Sequence, residues 1–136
     1  MKEWTVVSTI KLVLAAVVAM LVAVLGGWDK GMQILLIFVL LDIISGVFRA
    51  IIQKEISSDE SFKGGLKKLL IFVVVAVATQ VDRFAETDLV RKGAIAFYVA
   101  SEALSILENV VASGVKVPLA LQKMLKALRG DKFPDD

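Results

Sequence analysis

The stretch Gly31–Ile52, GMQILLIFVLLDIISGVFRAII, decides the fold. Wound as a helix at about 1.5 Å per residue it reaches about 33 Å, enough to cross the hydrocarbon core of a bilayer. Asp42 stands near its middle, followed at three, four and seven positions by Ser45, Gly46 and Arg49. At about 100° per residue those four share one face, while Leu40, Leu41, Ile44 and Val47 look elsewhere. A carboxyl group at that depth must meet protein or water, so this span does more than anchor. Gly46 on the same face lets a neighbouring backbone come close.

Working outward, a first apolar run precedes this span and reads as a crossing over about residues 5–28. Lys11 can snorkel from its start, and Gly26, Gly27, Trp28, Asp29 and Lys30 make an interfacial turn. The run is read as a span and not a cleaved leader, because no small-residue cleavage pattern precedes the turn. Ser8, Ala15, Ala19, Ala23 and Gly27 form a small-residue ridge without any acid, the pattern of a close-packing helix face.

On the other side, the polar residues from Gln53 to Gly65 read as a loop, and a third span over about 66–84 opens with Lys67 and Lys68. A charged cluster from Asp82 to Lys92 separates it from a fourth, more polar span at about 93–113. Projected as a helix, that span gathers Tyr98, Ser101, Glu102, Ser105, Glu108, Asn109 and Ser113 within roughly 140°. Ala96, Phe97, Ala100, Leu104, Leu107 and Val111 fall on the opposite arc. A wettable side of that width suits an aqueous lumen; the structural alternative is burial, with Glu102 paired to Arg49. Asp42 and its face read as an inter-helix joint, and the fourth helix as the pore wall.

Beyond Gly114, residues 118–129 read as a short amphipathic helix lying along the membrane surface. Leu121, Met124, Leu125 and Leu128 are its apolar side, and Lys123, Lys126 and Arg129 meet headgroups. Gly130 ends it, and Asp131–Asp136 read as a frayed acidic tail. The fold class is therefore all-α: one integral membrane domain over 1–136, with four transmembrane helices and a C-terminal interfacial helix.

Composition agrees. With 57% hydrophobic residues in a chain of 136, the apolar surface exceeds what a soluble domain of this size can bury. Mean hydropathy is +0.78. Cysteine and histidine are absent, which removes disulfides, thiolate chemistry and imidazole bases and leaves no expected metal or cofactor. No phosphate loop or nucleophile elbow is present, so no catalytic residue is assigned and an enzyme is not expected. The net charge of +2 is small, and the basic residues stand at span ends and not in a stripe with aromatics, so no nucleic-acid partner is expected.

Their placement reports orientation instead. Four spans put Lys30, Arg83, Arg91 and Lys92 on one side and the rest of the sixteen Lys and Arg residues, including Lys63, Lys67 and Lys68, on the other. The positive-inside rule then places both termini in the cytoplasm.

From about Leu36 to Leu128 the chain resembles a family of small phage holins that includes relatives associated with toxin secretion in clostridia. The resemblance is carried by Asp42, Ser45 and Gly46; by Ser57, Ser58, Phe62, Lys63, Gly64, Lys67 and Lys68; by Asp82; and by FYVASEALSILENVVASGVKVP from Phe97 to Pro118. Ser45 and Arg49 stand where the family often has Thr and Lys. The resemblance implies a homo-oligomer in the bacterial cytoplasmic membrane that opens lesions for an endolysin, with an antiholin as a further partner. The rival reading is a small four-helix secondary transporter or ion channel built around the buried carboxylate.

Overall fold

The computed structural model describes residues 1–130; the expected acidic tail, Asp131–Asp136, lies outside them. Five helices follow one another: α1 (Lys2–Val24), α2 (Lys30–Gln53), α3 (Ser58–Ala85), α4 (Leu89–Ala112) and α5 (Leu119–Arg129). The first four are each long and apolar enough to cross a membrane. The chain is thus an all-α, four-span bundle with a short additional C-terminal helix, and no strand occurs among the described residues.

Helix ends follow local chemistry. The Asp29 carboxylate accepts from the Met32 amide at 3.0 Å and caps α2. Ser57 caps α3 by accepting from the Glu60 amide at 3.4 Å, and Asp59 and Glu60 complement the positive end of the helix. This corrects the loop expected up to Gly65: residues 58–65 are the first two turns of α3, nucleated by the Ser57–Glu60 capping sequence despite Gly64 and Gly65. Gly26 closes the end of α1 with φ +84°, and a Cβ there would lie 2.6 Å from the Arg91 Nε. Gly27, expected in the packing ridge, is not in α1 at all; with φ +108° it belongs to the turn after it.

Packing is uneven. Helix α4 lies against both α2 and α3, whereas α2 and α3 pack on α4 and hardly on each other. Met32, Leu35 and Val39 of α2, Ile71 and Val75 of α3 and Ile95 of α4 form the apolar core, flanked by Phe72, Tyr98 and Val99. The core occupies the half of the bundle nearer the α1–α2 and α3–α4 turns. Because lipid is as apolar as leucine, dispersion and hydrogen bonds, not removal of water, hold such helices together. The apolar residues facing outward, among them Leu14, Phe48 and Leu69, are then solvated by lipid.

Helix α1 stands apart. None of its residues is buried, and it meets the bundle chiefly against α3. Ala15, Ala19 and Ala23 are exposed, so the expected small-residue ridge packs on nothing among the described residues. Helix α5 packs against α4, with Gln122, Leu125, Lys126 and Arg129 half-buried and Leu121, Met124 and Leu128 exposed. Of its expected apolar side only Leu125 turns inward.

Candidate functional site

At the depth where the apolar core ends, α2, α3 and α4 each contribute one charged residue. Asp42 and Glu102 are 5% and 6% exposed. Between them runs the Lys68 side chain, whose Nζ donates to Glu102 Oε2 at 2.7 Å and to Asp42 Oδ2. A lysine stem is long enough to bridge two helices that do not otherwise pack, and its ammonium has donors for both carboxyl groups. Lys68 was expected at the membrane surface beside Lys63 and Lys67; those two are exposed, and Lys68 turns inward. One residue of helix is about 100° of rotation, which puts neighbouring lysines on different faces.

Asn109 extends the cluster. Its Nδ2 donates to Asp42 Oδ1 at 2.8 Å and to Ser45 Oγ at 3.0 Å. Ser45 in turn donates to the Asp42 carbonyl at 3.1 Å. Arg49 donates to Asn109 Oδ1 at 3.4 Å and to the Gln53 side chain at 3.2 Å, and Gln53 donates to the Ala112 carbonyl at 3.3 Å. A polar ladder therefore runs from Glu102 through Lys68, Asp42, Asn109 and Arg49 to the end of α2. No buried side-chain polar atom among the described residues lacks a partner. Within hydrocarbon such satisfaction is required, since an unpaired polar group costs several kcal/mol there, on the order of its desolvation.

The sequence expectations divide cleanly at this ladder. Asp42, Ser45, Arg49, Glu102 and Asn109 come together, but Glu102 pairs with Lys68 and not with Arg49, which sits two turns farther along α2. Ser105 is half-buried and faces the cleft described below, whereas Glu108 is exposed and outside the cluster. Tyr98 packs on the apolar core and meets Phe97 edge to face at 5.2 Å, so it belongs to packing. Gly46 faces Asn109, where an added Cβ would lie 3.7 Å from Nδ2, an ordinary contact.

Between α2 and α3, beside the ladder, lies a cavity of about 560 Å³. Gly46, Val47 and Ala50 form one wall and Ser61, Gly64 and Gly65 the other, with Asp42, Lys68 and Asn109 at its inner end. Its mouth is at the α2–α3 turn, near Glu55 and Glu60.

The opposite end of the bundle holds a second polar assembly, which sequence reading treated only as a charged turn. The Asp82 carboxylate accepts from the Val90 and Arg91 amides at 3.0 and 2.7 Å and so caps α4 from the end of α3. Arg91 spreads over the α1–α2 turn: Nε donates to the Leu25 carbonyl at 2.7 Å, and the guanidinium meets Asp29 at 2.6 Å and the Gly27 carbonyl at 3.3 Å. Arg83 and Gln80 donate to the Ala23 and Val24 carbonyls at 2.6 and 3.1 Å. The two arginines complement the negative end of the α1 dipole, which has no basic residue of its own in its last turn. The Arg91 hydrogen bond also holds the Asp29 carboxyl below the usual aspartate range, against the opposing effect of its partial desolvation. No signal short of the fold itself singles out Arg91 from the other basic residues near the turns.

Comparison with known proteins bears on what this arrangement is for. Residues 19–130 match the family described as the bacteriophage holin family. A probable holin of Bacillus phage phi105 is 36% identical over 110 residues, covering 80% of this chain and 82% of the phage protein. An uncharacterized 14.9 kDa protein encoded in the nagH 3′ region of Clostridium perfringens is 39% identical over 111 residues, 80% of this chain and 84% of its own length. A Listeria monocytogenes protein is 40% identical over 101 residues, covering 74% and 72% of the two chains. No solved structure matches.

Proposed function

The chain belongs to the bacteriophage holin family, a membrane protein and not an enzyme, and from that premise we propose that it assembles in the cytoplasmic membrane of a bacterial host and opens lesions through which an endolysin reaches the cell wall. The observation that carries this reading is the Lys68 bridge between Asp42 and Glu102. It is a polar assembly set inside apolar spans, with two carboxyl groups meeting one ammonium.

A face so arranged has two stable environments. In a single chain, α2, α3 and α4 hide it from lipid; in an assembly of several chains the same face can turn to water, which solvates both carboxyl groups and the ammonium. Self-association shifts the balance because each added chain lengthens the wetted wall. Glu102, Ser105 and Asn109 are the α4 residues assigned to that wall, and Asp42 with Ser45 the joint that holds α2 against it. An antiholin, where one accompanies the protein, acts on this equilibrium. Both termini are assigned to the cytoplasm, with Lys63 and Lys67 at that surface.

The cleft leading to Asp42 and Lys68 favours one other reading, a transporter with its substrate site at the midplane. Proteoliposomes loaded with dyes of graded size separate the two. Leakage that lacks saturation and admits large dyes supports the holin; saturable flux of one small solute sinks it. In cells, Lys68→Met co-expressed with a cytoplasmic endolysin is expected to shift the time of lysis when compared with the native chain at equal membrane accumulation. An unchanged lysis time would remove the ion cluster from the mechanism.

A further inference from the structure

The ion cluster sets two acidic side chains, Asp42 and Glu102, around a single ammonium. A second charge is out of place in the opposite sense. Lys11 lies on α1, exposed and without an ion pair or hydrogen bond among the described residues. Lys11 stands nine residues into α1 and Lys68 ten into α3, where a charge that reaches neither water nor a partner is costly.

Their depths agree. Helices α1 and α3 run in the same direction and are joined where Gln80 donates to the Val24 carbonyl. Counting back from that bond at about 1.5 Å per residue, Lys11 stands about 20 Å along α1 and Lys68 about 18 Å along α3. Facing agrees as well. Val22 is the one half-buried residue within α1, so it marks the side turned to α3. Stepping back from Val22 by alternate fours and threes, the spacing of a packed helix seam, gives Val18, Ala15, Lys11 and Ser8. On α3 the stripe ending at Gln80 and Arg83 continues through Ala76, Phe72 and Leu69 to Gly65, at the rim of the cleft. A Cβ added at Gly64 or Gly65 would meet nothing within 4 Å, so that rim is open.

From depth, facing and charge together we infer that α1 closes along α3 of its own chain like a strap, and that Lys11 is the second cation of the Asp42–Glu102 pair. The structure shows the strap fastened at one end only, by Gln80, Arg83 and Arg91. Closure covers the α2–α3 cleft and seats the α1 seam against Leu69 and Phe72. It stands apart from lesion formation, because it concerns how one chain packs whatever the assembly does afterwards.

The chain has no native cysteine, which makes the test direct. Ala15→Cys with Phe72→Cys, in membranes and treated with a short bismaleimide, is expected to give an intramolecular cross-link. Val13→Cys with Phe72→Cys, on the opposite side of α1, is expected to give little. Adding Lys11→Gln to the first pair is expected to lower the yield about tenfold, the change that corresponds to about 1.4 kcal/mol, and Lys11→Arg to restore it. Equal yields from the two sides, products only between chains, or a yield indifferent to Lys11→Gln would each overturn the inference.

Discussion

Lys68 and Glu102 sit 34 positions apart in the chain and meet at 2.7 Å between two spans. The contact is shared with Asp42, so one lysine ties three helices. Replacing Lys68 by methionine keeps much of its stem but leaves both acids without their cation. Breaking a buried pair in this way costs about 3–5 kcal/mol. In detergent-solubilised or nanodisc-held protein, Lys68→Met is expected to unfold at clearly lower denaturant, and adding Glu102→Gln to recover part of the loss. Equal stability of Lys68→Met and the native chain would contradict the cluster.

Among the described residues Asn109 is the only amide that reaches Asp42 Oδ1, and the same nitrogen serves Ser45. Asn109→Leu fills a similar space and removes both hydrogen bonds, at an expected cost of about 1–3 kcal/mol. Asn109→Asp is expected to be worse, because it sets a carboxyl group against Asp42 in place of a donor. Ser105→Ala, on the same helix, removes no hydrogen bond among the described residues and is expected to change stability by about 0.5 kcal/mol or less.

Arg91 uses its whole guanidinium on the α1–α2 turn, and that geometry is not available to lysine. Arg91→Lys is expected to speed hydrogen exchange of the Gly26 to Trp28 amides nearly as much as Arg91→Ala. Gly26→Ala is expected to do the same by a different route, since its φ of +84° disfavours a side chain and the added Cβ meets Arg91. Rescue of the turn by lysine would show that charge alone holds it.

The Asp29 carboxyl lies outside the spans and is held below its ordinary range by Arg91. A carboxyl depressed by folding contributes stability that is present above its unfolded pKa and is lost as pH falls through the folded one. The Arg91–Asp29 contact is therefore expected to persist through mildly acidic conditions and to weaken only below about pH 4. Trp28 borders the turn and reports on it; in a Trp4→Phe background its emission is expected to stay constant from neutral pH down to that point and then shift. A transition near pH 6 would assign the turn to another group.

Much of this architecture is legible in the chain because hydrocarbon allows so few solutions. Runs such as Ile34–Leu41 must be helical, and Asp42, Ser45 and Asn109 must find one another because no water is there to receive them. What stays hidden depends on single turns of helix. Lys67 and Lys68 are equivalent to any hydropathy scale, yet the rotation between them separates an exposed residue from the centre of the site. Residues 58–65 look like a loop because Gly64 and Gly65 weaken a helix; the Ser57 cap and the long apolar continuation outweigh them. Ala15, Ala19 and Ala23 carry a packing pattern with no packing partner among the described residues, since periodicity identifies a face but not what covers it. Arg91 was legible only as a topology marker, because its acceptors are main-chain carbonyls that every residue possesses.

The clamp made by Asp82 and Arg91 has a mechanical consequence. It fastens the end of α3, the start of α4 and the α1–α2 turn into one block; at the other end Gln53 and Arg49 tie α2 to α4, while α1 has no comparable fastening among the described residues. Helices of 23 and 24 residues are arms of about 35 Å. Rotating such an arm by about 10° about the block moves its far tip by about 6 Å. A small angular change at the fastened end is thus magnified into an aperture at the other, with the bundle opening as a fan opens from its rivet.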